Sequence, residues 1–100
     1  MLLPMAKAPK TSKTAKPAKL STRELFGRNV RTLRRLRDMS QEALADAADI
    51  YRSHVTLIER GEINYTIDTM EQIAHAMGLE VRDLLDPALE LKHLRDATQE

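Results

Sequence analysis

Residues 40–61 read SQEALADAADIYRSHVTLIERG, and the placing of capping, small and apolar residues in this stretch decides the fold. Ser40 opens a first helical piece that runs to about Ala47. Its hydroxyl can accept from the free backbone N–H groups of the first turn, and Glu42 then lies where the helix dipole favours a negative charge. Leu44, Ala45 and Ala48 form one small apolar face. The joint falls at Ala48-Asp49-Ile50, where Asp tolerates a left-handed backbone better than most residues. A second piece runs from about Tyr51 to Arg60. Val55 and Ile58, three apart, point to one side of it, and Gly61 stands just past its end, the usual place for glycine.

Two short helices joined by about four residues make a helix-turn-helix. Ala45 and Ala48 let the two axes approach closely. Arg52, Ser53, Thr56 and Arg60 lie off the Val55/Ile58 stripe and face outward, and in this motif the outward face enters a DNA major groove. Spacing alone equally fits an ordinary helical hairpin in a small bundle.

Upstream, Ser21 and Glu24 fit the S-x-x-E capping box, with Leu20 and Leu25 as a hydrophobic staple around it. Phe26, Val30, Leu33 and Arg37 follow at helical spacing. Gly27 costs about 1 kcal/mol inside a helix, which suggests that close packing requires it. Downstream, residues 62–65 form a loop and Thr66 caps a fourth helix whose buried face is Ile67, Met70, Ile73, Ala74 and Met77. A methionine stripe of this kind is core rather than ligand. Gly78 ends that helix, with Leu79 as the apolar contact beyond it. Val81, Leu84 and Leu85 belong to a short fifth helix stopped by Asp86-Pro87. Ala88, Leu91 and Leu94 add a turn or two packed on the body or on a partner.

The organisation is therefore a tail at 1–20, a domain at 21–86 and a C-terminal tail or short helix at 87–100. Residues 1–20 carry Lys7, Lys10, Lys13, Lys16 and Lys19 and no acid, while the other 11 Lys and Arg face all 15 acids. Rich in Lys, Ala and Pro, the tail buries too little apolar surface to offset chain entropy and is read as disordered. It is either a basic arm that touches DNA phosphates or a solubilising segment with no fixed contact. Arg23, Arg28, Arg31, Arg34, Arg35 and Arg37 precede the motif with only Glu24 opposing them, as suits one phosphate-facing side.

Composition removes several classes. Aromatic residues are 3% of the chain, too few for the stacking platforms of single-strand binders. There is no Cys, hence no disulfide and no cysteine zinc site. No run approaches the roughly 18 apolar residues of a membrane helix, and Met1 to Met5 is too short for a signal-peptide core. A soluble, cytoplasmic protein is expected. His54, His75 and His93 lack any metal-ligand spacing. With three Gly, no phosphate-cradling loop, and no serine nucleophile motif, the expectation is no enzyme, no cofactor and no metal.

The Ser40-Gln41-Glu42 opening, the Leu44-Ala45 pair, Arg52-Ser53, Val55 and Ile58-Glu59-Arg60-Gly61 together resemble, without a gap, the helix-turn-helix of the Cro and phage-repressor type, also called the xenobiotic-response-element type. The likeness covers about Leu25 to Leu85 and is nearest to short single-domain members such as restriction-modification controller proteins. It implies an all-α, compact five-helix bundle and a homodimer that regulates transcription from a double-stranded DNA operator. Under it, Arg52, Ser53 and Leu57 match base-reading positions, with His54 and Thr56 beside them. Gln41 and Tyr51 match phosphate-contacting positions, joined by Arg60 and by Asn64 and Tyr65 of the following loop. Arg34 and Glu59 match a structural ion pair, the alternative being a solvated Arg34. The fifth helix, with Val81, Leu84 and Leu85, matches the dimer contact. Leu57 and Glu62 depart from the polar and basic residues common in the family. The acidic balance of residues 21–100 leaves one alternative, a protein-binding module such as an antitoxin that grips a toxin.

Overall fold

A computed structural model describes residues 19–92. Its order follows from local signals at the helix ends. At the first, the Ser21 hydroxyl accepts from the Glu24 amide at 3.1 Å while the Glu24 carboxylate accepts from the Ser21 amide at 2.9 Å. This reciprocal cap starts α1, Thr22–Leu36. Leu20, the residue just before the cap, is 42% exposed. Asp38 then turns the chain at φ 52°. The Ser40 hydroxyl accepts from the Ala43 amide at 2.9 Å and starts α2, Gln41–Ala48. Asp49, at φ 61° and ψ 47°, makes the left-handed joint. After it come α3, Arg52–Arg60, ended by Gly61, and α4, Ile67–Ala76, capped by Thr66. The last is α5, Val81–Leu84. Helical backbone resumes over residues 89–92, and no strand occurs among the described residues.

α1 packs on α3 and α5, α2 on α3 and α4, and α4 on α5. Between them lie Phe26, Val30, Leu33, Leu44, Val55, Ile58, Ile73 and Leu84, all essentially sealed from solvent. Burying one such side chain is worth about 1.5–3 kcal/mol. Ala45 and Ala48 are buried too, where a larger side chain would push α2 off α3. Gly27 marks the tightest approach. A Cβ added there would collide with the Ile58 carbonyl oxygen and lie 3.1 Å from that of Glu59. The backbone of α3 thus rests directly on α1.

Long polar side chains lock the helix ends to one another. Arg37 donates to the carbonyl of Met77 at 2.5 Å, placing a cation at the negative end of α4. Gln72 donates to the carbonyl of Ala48 at 2.9 Å and so closes the end of α2 from α4. Asn29, fully buried, donates to the carbonyls of Leu84 and Asp86 at 2.8 and 2.9 Å. Arg28 adds a bond to the carbonyl of Pro87 at 3.1 Å. These carbonyls lie at the end of α5 and just beyond it, where so short a helix leaves them unsatisfied, so α1 supplies the donors.

Three expectations are corrected. Ile67 is 70% exposed: it is the first residue of α4, whereas Ile63 and Tyr65 of the preceding loop pack against the core. Leu84 is fully buried because α5 has one turn and turns that side chain onto the core. Of the three residues expected at a dimer contact, only Val81 and Leu85 keep partial exposure. In the C-terminal segment Leu89 is buried and Leu91 exposed, so Leu91 does not pack on the body of this chain and only the partner alternative remains for it. That turn is held by Asp86, which accepts from Lys92 at 2.7 Å and from the Ala88 amide at 2.9 Å. The lysine hydrogen bond, followed by that of the amide, holds the Asp86 carboxyl below the ordinary aspartate range. The Lys-rich tail, except for its last two residues, and Leu94 lie outside the described residues.

Candidate nucleic-acid interface

The outward face of α3 is fixed by what its inward face buries. Val55, Ile58 and Glu59 are buried, which turns Arg52, Ser53, His54 and Arg60 to solvent and leaves Thr56 and Leu57 half-exposed. Tyr51, the N-cap residue, makes no side-chain cap bond and is 75% exposed. Its ring meets the His54 imidazole edge-on at 5.7 Å between centroids. The Arg52 guanidinium, at the head of the helix, has no hydrogen bond or ion pair among the described residues; the residue's backbone carbonyl accepts from the Thr56 hydroxyl at 3.3 Å. The five guanidinium donors are therefore unspent.

Behind this face a chain of polar contacts ties three helices together. Arg34 of α1 and Glu59 of α3 form a two-point ion pair, Nε to Oε2 at 2.7 Å and Nη2 to Oε1 at 3.1 Å. The side chains are 11% and 3% exposed. Arg34 also donates to the carbonyl of Met39 at 2.8 Å. Gln41, at the start of α2, donates to Glu59 Oε1 at 3.1 Å, and its own oxygen accepts from the Thr56 hydroxyl at 3.0 Å. The side chains of Gln41 and Thr56, expected to reach phosphate and base, are thus engaged inside the protein. The physical reason is Glu59: a buried carboxylate recruits every donor within reach to offset its desolvation.

One open groove of about 780 Å³ runs over this network. Arg31, Arg34 and Arg35 of α1 form one wall, Ser40, Gln41 and Glu42 the end, and Arg52, Thr56, Glu59 and Arg60 of α3 the other wall. With Arg34 and Glu59 cancelling each other, four arginines face one free carboxylate, that of Glu42. Arg60 lies 3.6 Å from Glu62, both well exposed, a pair worth little in water. The backbone N–H groups of Gln41 and Glu42 make no hydrogen bond among the described residues, so the positive end of α2 adds to the field. Such a groove is arranged to receive an anion.

Other expected contacts lie elsewhere. Asn64 and Tyr65 line a separate shallow cavity of about 320 Å³ with Ser21, Thr22, Arg23 and Met70. Tyr65 is there as packing: its ring leans on Phe26 at 5.4 Å and its hydroxyl donates to the carbonyl of Arg23 at 3.2 Å. The phosphate role expected for it is thereby displaced, because the loop folds back over the N-terminal turns of α1. Burial pushes the Tyr65 phenol up from 10.0 to about 12, against a smaller opposing pull from the Arg23 charge. The folded state therefore keeps this phenol neutral where the unfolded chain would ionise it. Its contribution is complete below pH 10 and is lost as the pH climbs toward 12. Tyr65→Phe should flatten the fall in stability over that window, checked by urea melts at a series of alkaline pH values. A parallel fall in both proteins would contradict this account.

The sequence placed Arg31 and Arg35 in the arginine cluster suited to a phosphate-facing side; the fold adds that the two border this groove. Asn29 was missed altogether. Among the described residues no group of three or more His, Cys, Asp or Glu is placed to hold a metal ion, and no helix is long and apolar enough to cross a membrane.

A helix-turn-helix family profile matches residues 30–84, which is more than half of the chain and spans both walls of the groove. The chain belongs to the helix-turn-helix family of the Cro and phage-repressor type. This is a family of DNA-binding transcriptional regulators. Within it, the chain is 45% identical over 65 residues to control protein C.BamHI of Bacillus amyloliquefaciens, covering 64% of this chain and 80% of that one. The restriction-modification controller protein C.AhdI of Aeromonas hydrophila has a similar crystal structure. It shows 36% identity and a TM-score of 0.59, over 61% of this helix-turn-helix protein and 92% of C.AhdI. A hypothetical transcription factor from Neisseria, NHTF, matches at 32% identity and a TM-score of 0.66, over 78% of this chain and 94% of that one.

Proposed function

We propose that this helix-turn-helix protein is a sequence-specific, double-stranded-DNA-binding transcriptional regulator that acts as a homodimer and reads the major groove with α3. The observation that carries the reading is the unpartnered Arg52 at the head of an exposed helix, on the wall of a groove whose free charge is positive. Duplex DNA supplies what both features lack. A guanine offers O6 and N7 to a guanidinium in two-point contact, and a phosphate suits the arginine walls and the free N–H groups at the start of α2.

Ser53 and His54 stand beside Arg52 on the same turn and are assigned to base edges. Tyr51 and Arg60 flank them toward the sugar-phosphate strand. Thr56 and Gln41 hold α3 in position from behind, and Leu57 has only a thymine methyl to touch. Val81 and Leu85, half-exposed on α5, are assigned to the contact with a second copy. A two-fold pair would then offer two α3 helices to half-sites about 34–36 Å apart. The names of C.BamHI and C.AhdI support a controller role of the same kind.

The decisive experiment selects bound fragments from a random duplex pool and then titrates the winning site. Arg52→Ala is expected to cost about 1–3 kcal/mol on that site and to relax choice at one base pair. Equal loss on selected and scrambled duplexes would remove Arg52 from base reading. Failure of the pool to enrich any sequence would overturn the reading itself.

A further inference from the structure

Five arginines lie between residues 28 and 37 of α1 and its end, and the fold accounts for three of them. Arg28 is bonded to Asn29 and to the carbonyl of Pro87. Arg34 is paired with Glu59, and Arg37 closes the end of α4. Arg31 and Arg35 are exposed, and their guanidinium groups have no hydrogen bond or ion pair among the described residues. They are four apart, hence on one face of the helix, and both border the same groove as Arg52 and Arg60. Two like charges at that spacing oppose helix stability slightly, and no carboxylate pairs with either among the described residues. An external anion would. The groove is open rather than enclosed, about 780 Å³ with arginines of both α1 and α3 along it, so it fits a polyanionic strand better than a small ion.

Resting on the DNA reading above, we infer that Arg31 and Arg35 grip the phosphate backbone of the strand bordering the major groove that α3 enters. They carry the footprint from α3 across to α1. The contact is electrostatic and blind to base identity, so it sets affinity and register while Arg52 sets choice.

The test measures binding of the full chain to the selected duplex over a range of salt concentrations. Each phosphate contact contributes about 0.9 to the slope of log affinity against log salt. The double variant Arg31→Gln/Arg35→Gln should therefore lose about 1.8 of that slope, and weaken selected and scrambled duplexes by the same factor. Arg31→Lys/Arg35→Lys should keep the slope, because the charges remain. Arg82→Gln, on the α4–α5 side beside His75 and Glu80, controls for the general field of the protein. A double-glutamine slope equal to that of the parent, or changed no more than by Arg82→Gln, overturns the inference while leaving the DNA reading intact. A parent chain that binds no duplex at any salt overturns both.

Discussion

Glu59→Ala is expected to destabilise the protein by about 3–5 kcal/mol, the cost of breaking one side of a buried ion pair. The carboxylate is 3% exposed and serves two donors, Arg34 and Gln41. Removing it leaves a nearly buried guanidinium with only the Met39 carbonyl, and frees Gln41 from the position in which it holds Thr56. Against a total stability of about 5–15 kcal/mol for a domain, the loss is large. Chemical denaturation of the parent, Glu59→Ala, Arg34→Ala and the double variant measures it. The double variant should be less destabilised than the sum of the singles, since the second truncation removes a charge already stranded. Additive losses, or a single-variant loss below about 1 kcal/mol, typical of an exposed pair, would mean that the pair is only decoration on the surface.

The second large effect comes from one methyl group. Gly27→Ala places carbon against the Ile58 carbonyl oxygen. Overpacking commonly costs about 1–3 kcal/mol. Here the obstacle is helix backbone, which has no rotamer to yield, so the top of that range applies even after alanine's gain of about 1 kcal/mol in helix propensity. A urea melt should show the midpoint falling with an unchanged slope. A variant as stable as the parent would mean that the two helices slide apart freely. Both substitutions act on the seam between α1 and α3, so their effects should not add.

Signals confined to a few residues of sequence were legible. The caps at Ser21, Ser40 and Thr66, the left-handed turns at Asp49, Gly61 and Gly78, and the stripe of Phe26, Val30 and Leu33 all depend on neighbours within a turn or two. Whatever depends on distant chain was not. Asn29 looks like an ordinary polar residue until it meets carbonyls 55 and 57 positions away. Tyr65 and Gln41 carry donors that solvent or DNA would welcome, and only the packed fold reveals that the Arg23 carbonyl and the Glu59 carboxylate engage them first. Ile67 and Leu84 sit in apolar patterns whose phase is set by where α4 begins and by how short α5 is. Arg31 and Arg35 were visible as charges, but a wall exists only opposite another wall.

The fastening of α3 along its whole back has a mechanical consequence. With glycine contact at one point, a charged clamp at another and a hydroxyl tether at a third, this helix has no hinge of its own. If α3 enters the major groove as proposed, a duplex that does not match it must bend or change its groove width to meet a stiff probe. Sequences that deform easily would then be favoured even at base pairs beyond the reach of any side chain.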